Sequence, residues 1–128
     1  MQLSEWARHY IKSKHSLDDS IKHIEFKDDA IILSKERGTS TYLIEKELEP
    51  PKKEADGIFT LNTKKNIQTL LRNWDTFAKN KNLTITFANP ETSERWSIKP
   101  HIHNKIIEKK ALERGIKTLF LSIEEYKA

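Results

Sequence analysis

The sequence predicts a single α+β domain: a mostly antiparallel sheet of about five to six strands, with one long central helix and C-terminal helices packed on it. Three observations carry this. Apolar residues recur at helical spacing near both ends and over residues 64–79, while the stretches between them alternate at period two. The segments follow the order helix, three strands, loop, strand, long helix, two strands, then one or two helices. A Pro-containing loop at 49–57 separates two halves, neither of which would bury a core alone. The whole chain, 1–128, is therefore expected to be one domain, large enough for a core without disulfides.

Each element has a local reason. Residues 3–12 place Leu3, Ala7, Tyr10 and Ile11 at helical spacing, with Trp6 alongside and Ser4 as a candidate N-cap. Three strand-like runs follow, Ile21–Phe26, Ala30–Ser34 and Ser40–Glu47, separated by Lys27-Asp28-Asp29 and Glu36-Arg37-Gly38-Thr39. Their simplest arrangement is an antiparallel meander. In the 49–57 loop Pro50-Pro51 removes two backbone donors and fixes φ, which excludes a regular element. Ile58–Leu61 is a short strand. Asn62 or Thr63 then caps a helix over 64–79 whose apolar face carries Ile67, Leu70, Leu71, Trp74, Phe77 and Ala78.

Leu83–Ala88 alternates, and Asn89-Pro90-Glu91-Thr92-Ser93 turns the chain into a second alternating stretch at 94–103. Leu83, Ile85, Phe87, Trp96 and Ile98 would form the inner face of this hairpin. Asn104 can cap a helix that starts at Lys105, with Gly115 at its end or at a bend. Ile116, Leu119, Phe120 and Ile123 continue at helical spacing, so 118–123 reads as helix, although a strand also fits there.

Composition narrows the functional classes. With no cysteine there is no disulfide framework, thiolate metal site or cysteine nucleophile. Three glycines leave no phosphate-cradling loop, and no Gly-x-Ser-x-Gly elbow occurs. No apolar run approaches the length of a membrane span, and the N-terminal residues lack the pattern of a signal peptide. The expectation is a cytoplasmic protein with no membrane partner and no cofactor. The net charge of +4 is unevenly placed. Residues 1–51 hold 8 Lys/Arg and 10 Asp/Glu, whereas residues 95–117 hold 7 and 2. A basic second half suits a polyanion, though +4 is also ordinary for a soluble surface.

The sharpest lead is the alternation over 94–103. As a strand it sends Trp96, Ile98, Pro100 and Ile102 to one side and Arg95, Ser97, Lys99, His101 and His103 to the other. The second side would present cations at intervals of about 6.6–7 Å, close to the phosphate spacing of a nucleic-acid strand. Lys105 follows, and Lys110, Arg114 and Lys117 fall at helical spacing beyond it. The expected nucleic-acid site, for DNA or RNA, is therefore Arg95, Lys99, His101, His103, Lys105, Lys110, Arg114 and Lys117. The structural alternative is a protected edge strand, on which lysine and proline discourage pairing with other chains. A protein partner or a homodimer paired along that edge is a further expectation of the same stretch.

Two other chemistries are weighed against this. His101-x-His103 would put two imidazoles on one strand face, but no third ligand stands at a recognised spacing, with His9, His15, His23 and Glu108 as distant candidates. No metal site is expected. Glu25-Phe26-Lys27 is a literal E-x-K, with Asp28-Asp29, Glu45 and Glu47 as further carboxylates. With the element order, it resembles the restriction-endonuclease-like (PD-(D/E)xK) nucleases. That resemblance implies one or two Mg²⁺ ions held by an Asp and a Glu, assisted by the Lys. This chain departs from it by carrying the E-x-K on the first predicted strand and by the additional strand Ile58–Leu61. Trp6, Tyr10, Tyr42 and Tyr126 are candidates either for base stacking or for the rim of the core. Catalysis is not expected.

Overall fold

The computed structural model describes residues 1–51, 54–106 and 108–127. Helix α1 (Leu3–Lys14) precedes three strands, β1 (Ile21–Phe26), β2 (Ala30–Lys35) and β3 (Gly38–Glu45). Strand β4 (Gly57–Leu61) leads into α2 (Lys64–Arg72) and α3 (Trp74–Ala78). Strands β5 (Thr84–Asn89) and β6 (Glu94–Ile98) form a hairpin, and α4 (Pro100–Ile106) and α5 (Lys109–Leu121) complete the fold. No helix among the described residues is long and apolar enough to cross a membrane.

All six strands lie in one sheet in sequence order. The sheet is mixed, which corrects the expected, mostly antiparallel one. β1–β2–β3 is the predicted meander and β5–β6 the predicted hairpin, but β3–β4 and β4–β5 pair in parallel. Parallel neighbours need a crossover. For β4–β5 it is α2 and α3, and for β3–β4 it is the 46–56 segment, whose described residues form no helix or strand. Leu48 is buried in that segment among Ile58 and Ile67, and Asn66 Oδ1 accepts from its backbone N–H at 2.8 Å. The prolines that argue against a regular element there are compatible with this crossover, a topology that composition does not reveal.

Alternation along the strands builds two cores. On one face Ile58, Ile85, Phe87, Trp96 and Ile98 meet α2, α3 and α5 through Ile67, Leu70, Trp74, Phe77, Leu112, Ile116 and Phe120. Phe87 and Trp96 are cross-strand partners stacked at 4.3 Å, a pair worth about 0.5–1 kcal/mol beyond the area it buries. On the other face Ile31, Leu33, Ile44, Phe59 and Ala88 meet α1 through Leu3, Trp6, Ala7 and Ile11. Helices thus cover both faces.

The expected single long helix over 64–79 is two helices. Asn73 leaves helical geometry (φ −110°, ψ 21°), and its side-chain amide donates to the Thr69 carbonyl at 3.0 Å. Asparagine offers the backbone this local alternative to a continuous helix. The apolar face survives the break, because Trp74, Phe77 and Ala78 stay buried. Thr63, rather than Asn62, is the cap, with its hydroxyl accepting from Asn66 N. Gly115 neither ends nor bends α5, which runs through it to Leu121.

Candidate functional site

The strand expected over 94–103 ends at Ile98. Pro100 opens α4, where its missing N–H costs nothing and its φ suits the first turn. The His103 N–H donates to the Lys99 carbonyl at 3.1 Å, as the start of a helix requires. Residues 100–103 fit both periods, and proline decides for the helix. His101 and His103 therefore leave the stripe. Two residues along a helix turn by about 200°, so the pair no longer shares a face. His101 Nδ1 lies 2.9 Å from the Ala78 carbonyl oxygen and ties α4 to α3, while His103 Nδ1 lies 3.0 Å from the carbonyl oxygen of Lys99. Asn104 caps no helix; its Oδ1 accepts from Trp74 Nε1 at 3.0 Å.

The other expected cations divide between the two sides of the molecule. Lys110, Arg114 and Lys117 are exposed on α5, whose Leu112 and Ile116 pack on the face opposite α1. Arg95 and Lys99 belong to the α1 face, since Arg95 pairs with Ala88 in the sheet and lies over the Tyr10 ring of α1. The Lys105 side chain lies outside the described residues. Among the described residues, Arg95 thus lies on the α1 side of the sheet, and Lys110, Arg114 and Lys117 lie on the helix that packs on the other.

The fold assembles a groove between α1 and strands β3 to β6, with a volume of about 470 Å³. The walls are Tyr10 and Lys14 of α1, Tyr42 of β3, Asp56 and Gly57 at the start of β4, and Thr84 and Thr86 of β5. Arg95, Ser97 and Lys99 close it from β6 and the residue that follows. The in-register pairing explains this set. Tyr42 pairs with Gly57, Gly57 with Thr84, and Thr86 with Ser97, so the residues form rows across one face.

Arg95 is held by stacking. Tyr10 stacks on Trp6 at 5.3 Å with ring planes 6° apart, and the Arg95 guanidinium lies 4.7 Å from the Tyr10 centroid. Such a contact contributes about 0.5–1 kcal/mol at an exposed site. Lys14 Nζ lies 5.8 Å from the same ring. Among the described residues none of Lys14, Arg95 and Lys99 forms an ion pair. The Thr86 and Ser97 hydroxyls share a hydrogen bond of 2.8 Å between them. Asp56 is the only carboxylate in the lining among the described residues; its Oδ2 accepts from Thr41 N at 2.8 Å, and its own N–H donates to the Thr41 carbonyl.

Tyr42 is half-buried, and its phenol is pushed above the usual tyrosine value of 10.0, first by burial, then by the Asp56 carboxylate, then by Tyr10. Tyr42, Asp56 and Gly57 did not stand out as a group in the sequence. The Asp56-Gly57 pair carried only the composition of a turn, and nothing local brings it beside Tyr42.

The carboxylates of the expected E-x-K lie elsewhere. Ile24 and Phe26 pack toward the α1 core, so Glu25 between them projects from the opposite face, where it is exposed. Asp29 lines a shallow cavity of about 460 Å³ with Glu45, Glu47 and Glu49, and Glu25 is not among its walls. Among the described residues no three His, Asp or Glu side chains come together as a metal site. Comparison with protein-family models, curated proteins and solved structures returns no match.

Proposed function

We propose that this chain is a non-catalytic module that binds nucleic acid, as a single strand, in the groove between α1 and β6. The observation that carries the reading is the set of three cations without ion pairs, Lys14, Arg95 and Lys99, around a groove that also offers hydroxyls and aromatic rings. Single-stranded nucleic acid is bound by this combination, with cations tracking phosphates and rings meeting bases. The groove volume of about 470 Å³ suits a nucleotide unit rather than a duplex. Lys110, Arg114 and Lys117 face away from this groove and have no part in the contact.

The test is a fluorescence-anisotropy titration with short single-stranded DNA and RNA over a range of salt. Neutralising two phosphates of a single strand gives a log–log salt slope of about −1.4. Arg95→Ala with Lys99→Ala should flatten the slope by that amount and weaken binding by about tenfold or more at low salt. Lys110→Ala with Lys117→Ala should leave both quantities unchanged. If the α5 pair flattens the slope and the β6 pair does not, the site is on the other face.

A further inference from the structure

The groove is chemically polarised. Arg95 and Lys99 make one side cationic, and Asp56 stands at the start of β4 across the sheet from them. Tyr42 stands on β3, on the side of β4 away from β6, and brings its ring up to Gly57. A Cβ built on Gly57 would come within 2.4 Å of Tyr42 Cδ1 and 2.8 Å of Cε1. The missing side chain leaves room for the edge of the ring at this position, and Tyr42 lines the groove there. Asp56, also in the lining, is anchored through Oδ2, which accepts from Thr41 N.

An ionised carboxylate only accepts hydrogen bonds, so it repels the phosphate and any base edge that presents acceptors. The five common bases differ in what they offer it. Guanine carries N1–H and N2–H₂ side by side, two parallel donors matched to one carboxylate. Adenine and cytosine place an acceptor nitrogen next to their amine. Thymine and uracil flank a single N–H with two carbonyls.

We propose that the groove selects guanine, with Asp56 accepting from N1–H and N2–H₂ of a base laid on Tyr42 while an adjoining phosphate meets Arg95 and Lys99. This rests on the nucleic-acid reading above and adds base identity to it. The deciding experiment compares oligothymidylate with the same oligomer carrying one central deoxyguanosine, deoxyinosine or deoxyadenosine, by anisotropy against the intact protein. Hypoxanthine keeps N1–H and lacks the 2-amino group. The guanine oligomer should bind about tenfold tighter than the inosine one, with deoxyadenosine and plain oligothymidylate weaker still. Asp56→Asn should abolish the guanine preference and keep the salt slope. Equal affinity for all four oligomers, with the salt slope retained, overturns the guanine assignment and leaves nucleic-acid binding standing. Absence of binding to every oligomer at low salt overturns both.

Discussion

Tyr42 holds its proton more tightly in the folded protein than in the unfolded chain, and the reason is on both sides of its ring. Burial disfavours the phenolate, and the Asp56 carboxylate repels it. A folded-state value raised above 10.0 means that this stabilising effect is complete below that pH and is lost as pH rises through the folded value. The tyrosinate absorbance of the wild type minus that of Tyr42→Phe isolates the transition, and its midpoint should lie above 10.0. Asp56→Asn should move the midpoint down without restoring the ordinary value, because burial is the larger cause. A midpoint unaffected by Asp56→Asn would show that the carboxylate does not face the phenol, and the base-reading geometry would fall with it. Gly57→Ala perturbs the same place sterically: the Tyr42 ring, 2.4 Å from the new Cβ, must be displaced.

Helix boundaries follow from small numbers of residues. Asn73 divides α2 from α3, and Pro100 converts the end of an alternating run into α4. Both residues were visible in the sequence, but periodicity over a longer window outweighed them. The continuous apolar face over 64–79 survives a one-residue interruption, so it does not report one. Residues 100–103 satisfy period two as well as a first helical turn. Gly115 shows the opposite case, a residue that suggests an end and has none. It is exposed in the middle of α5, and a Cβ there meets nothing within 4 Å. Gly115→Ala should therefore stabilise the protein by about 0.5–1 kcal/mol, because glycine loses more backbone entropy in a helix than alanine. Urea denaturation should show a higher midpoint with an unchanged m-value. A lower midpoint would mean that α5 is not regular at this position.

Across the molecule, buried asparagines join parts that the chain separates widely. Asn62 is fully buried; its Oδ1 accepts from Trp96 Nε1 at 2.9 Å, and its Nδ2 lies 3.2 Å from the Phe120 carbonyl and 3.3 Å from that of Glu124. Its carbonyl also accepts from the Tyr126 N–H, so β6, α5 and the C-terminal segment meet on one residue. Asn62→Ala leaves a buried indole N–H and two carbonyls without these partners, and should destabilise the fold by roughly 2–4 kcal/mol. Thermal or urea unfolding measures this directly. A loss below about 0.5 kcal/mol, the level of an ordinary surface change, would show that water replaces the side chain. Since Asn62 and Trp96 lie on the core away from α1, oligonucleotide affinity of the folded fraction should be preserved.

Much of this protein was legible before its structure. Period two and period 3.6 are consequences of local backbone dihedrals. They placed Leu83, Ile85, Phe87, Trp96 and Ile98 on one buried face, put Trp74 and Phe77 in the core, and set Arg95 and Lys99 on one side of the chain. The partners of each strand are not a local property. Tyr42 meets Gly57, and Asp56 bridges to Thr41, only because β3 and β4 pair in parallel. That pairing is decided by contacts far apart in the chain, such as Leu48 with Asn66. The position of α1 on the opposite face from α5 is set in the same way, by contacts of Leu3, Trp6, Ala7 and Ile11 with the far face of the sheet. It separates Arg95 from Arg114, and it turns half of a basic stripe into the wall of a groove.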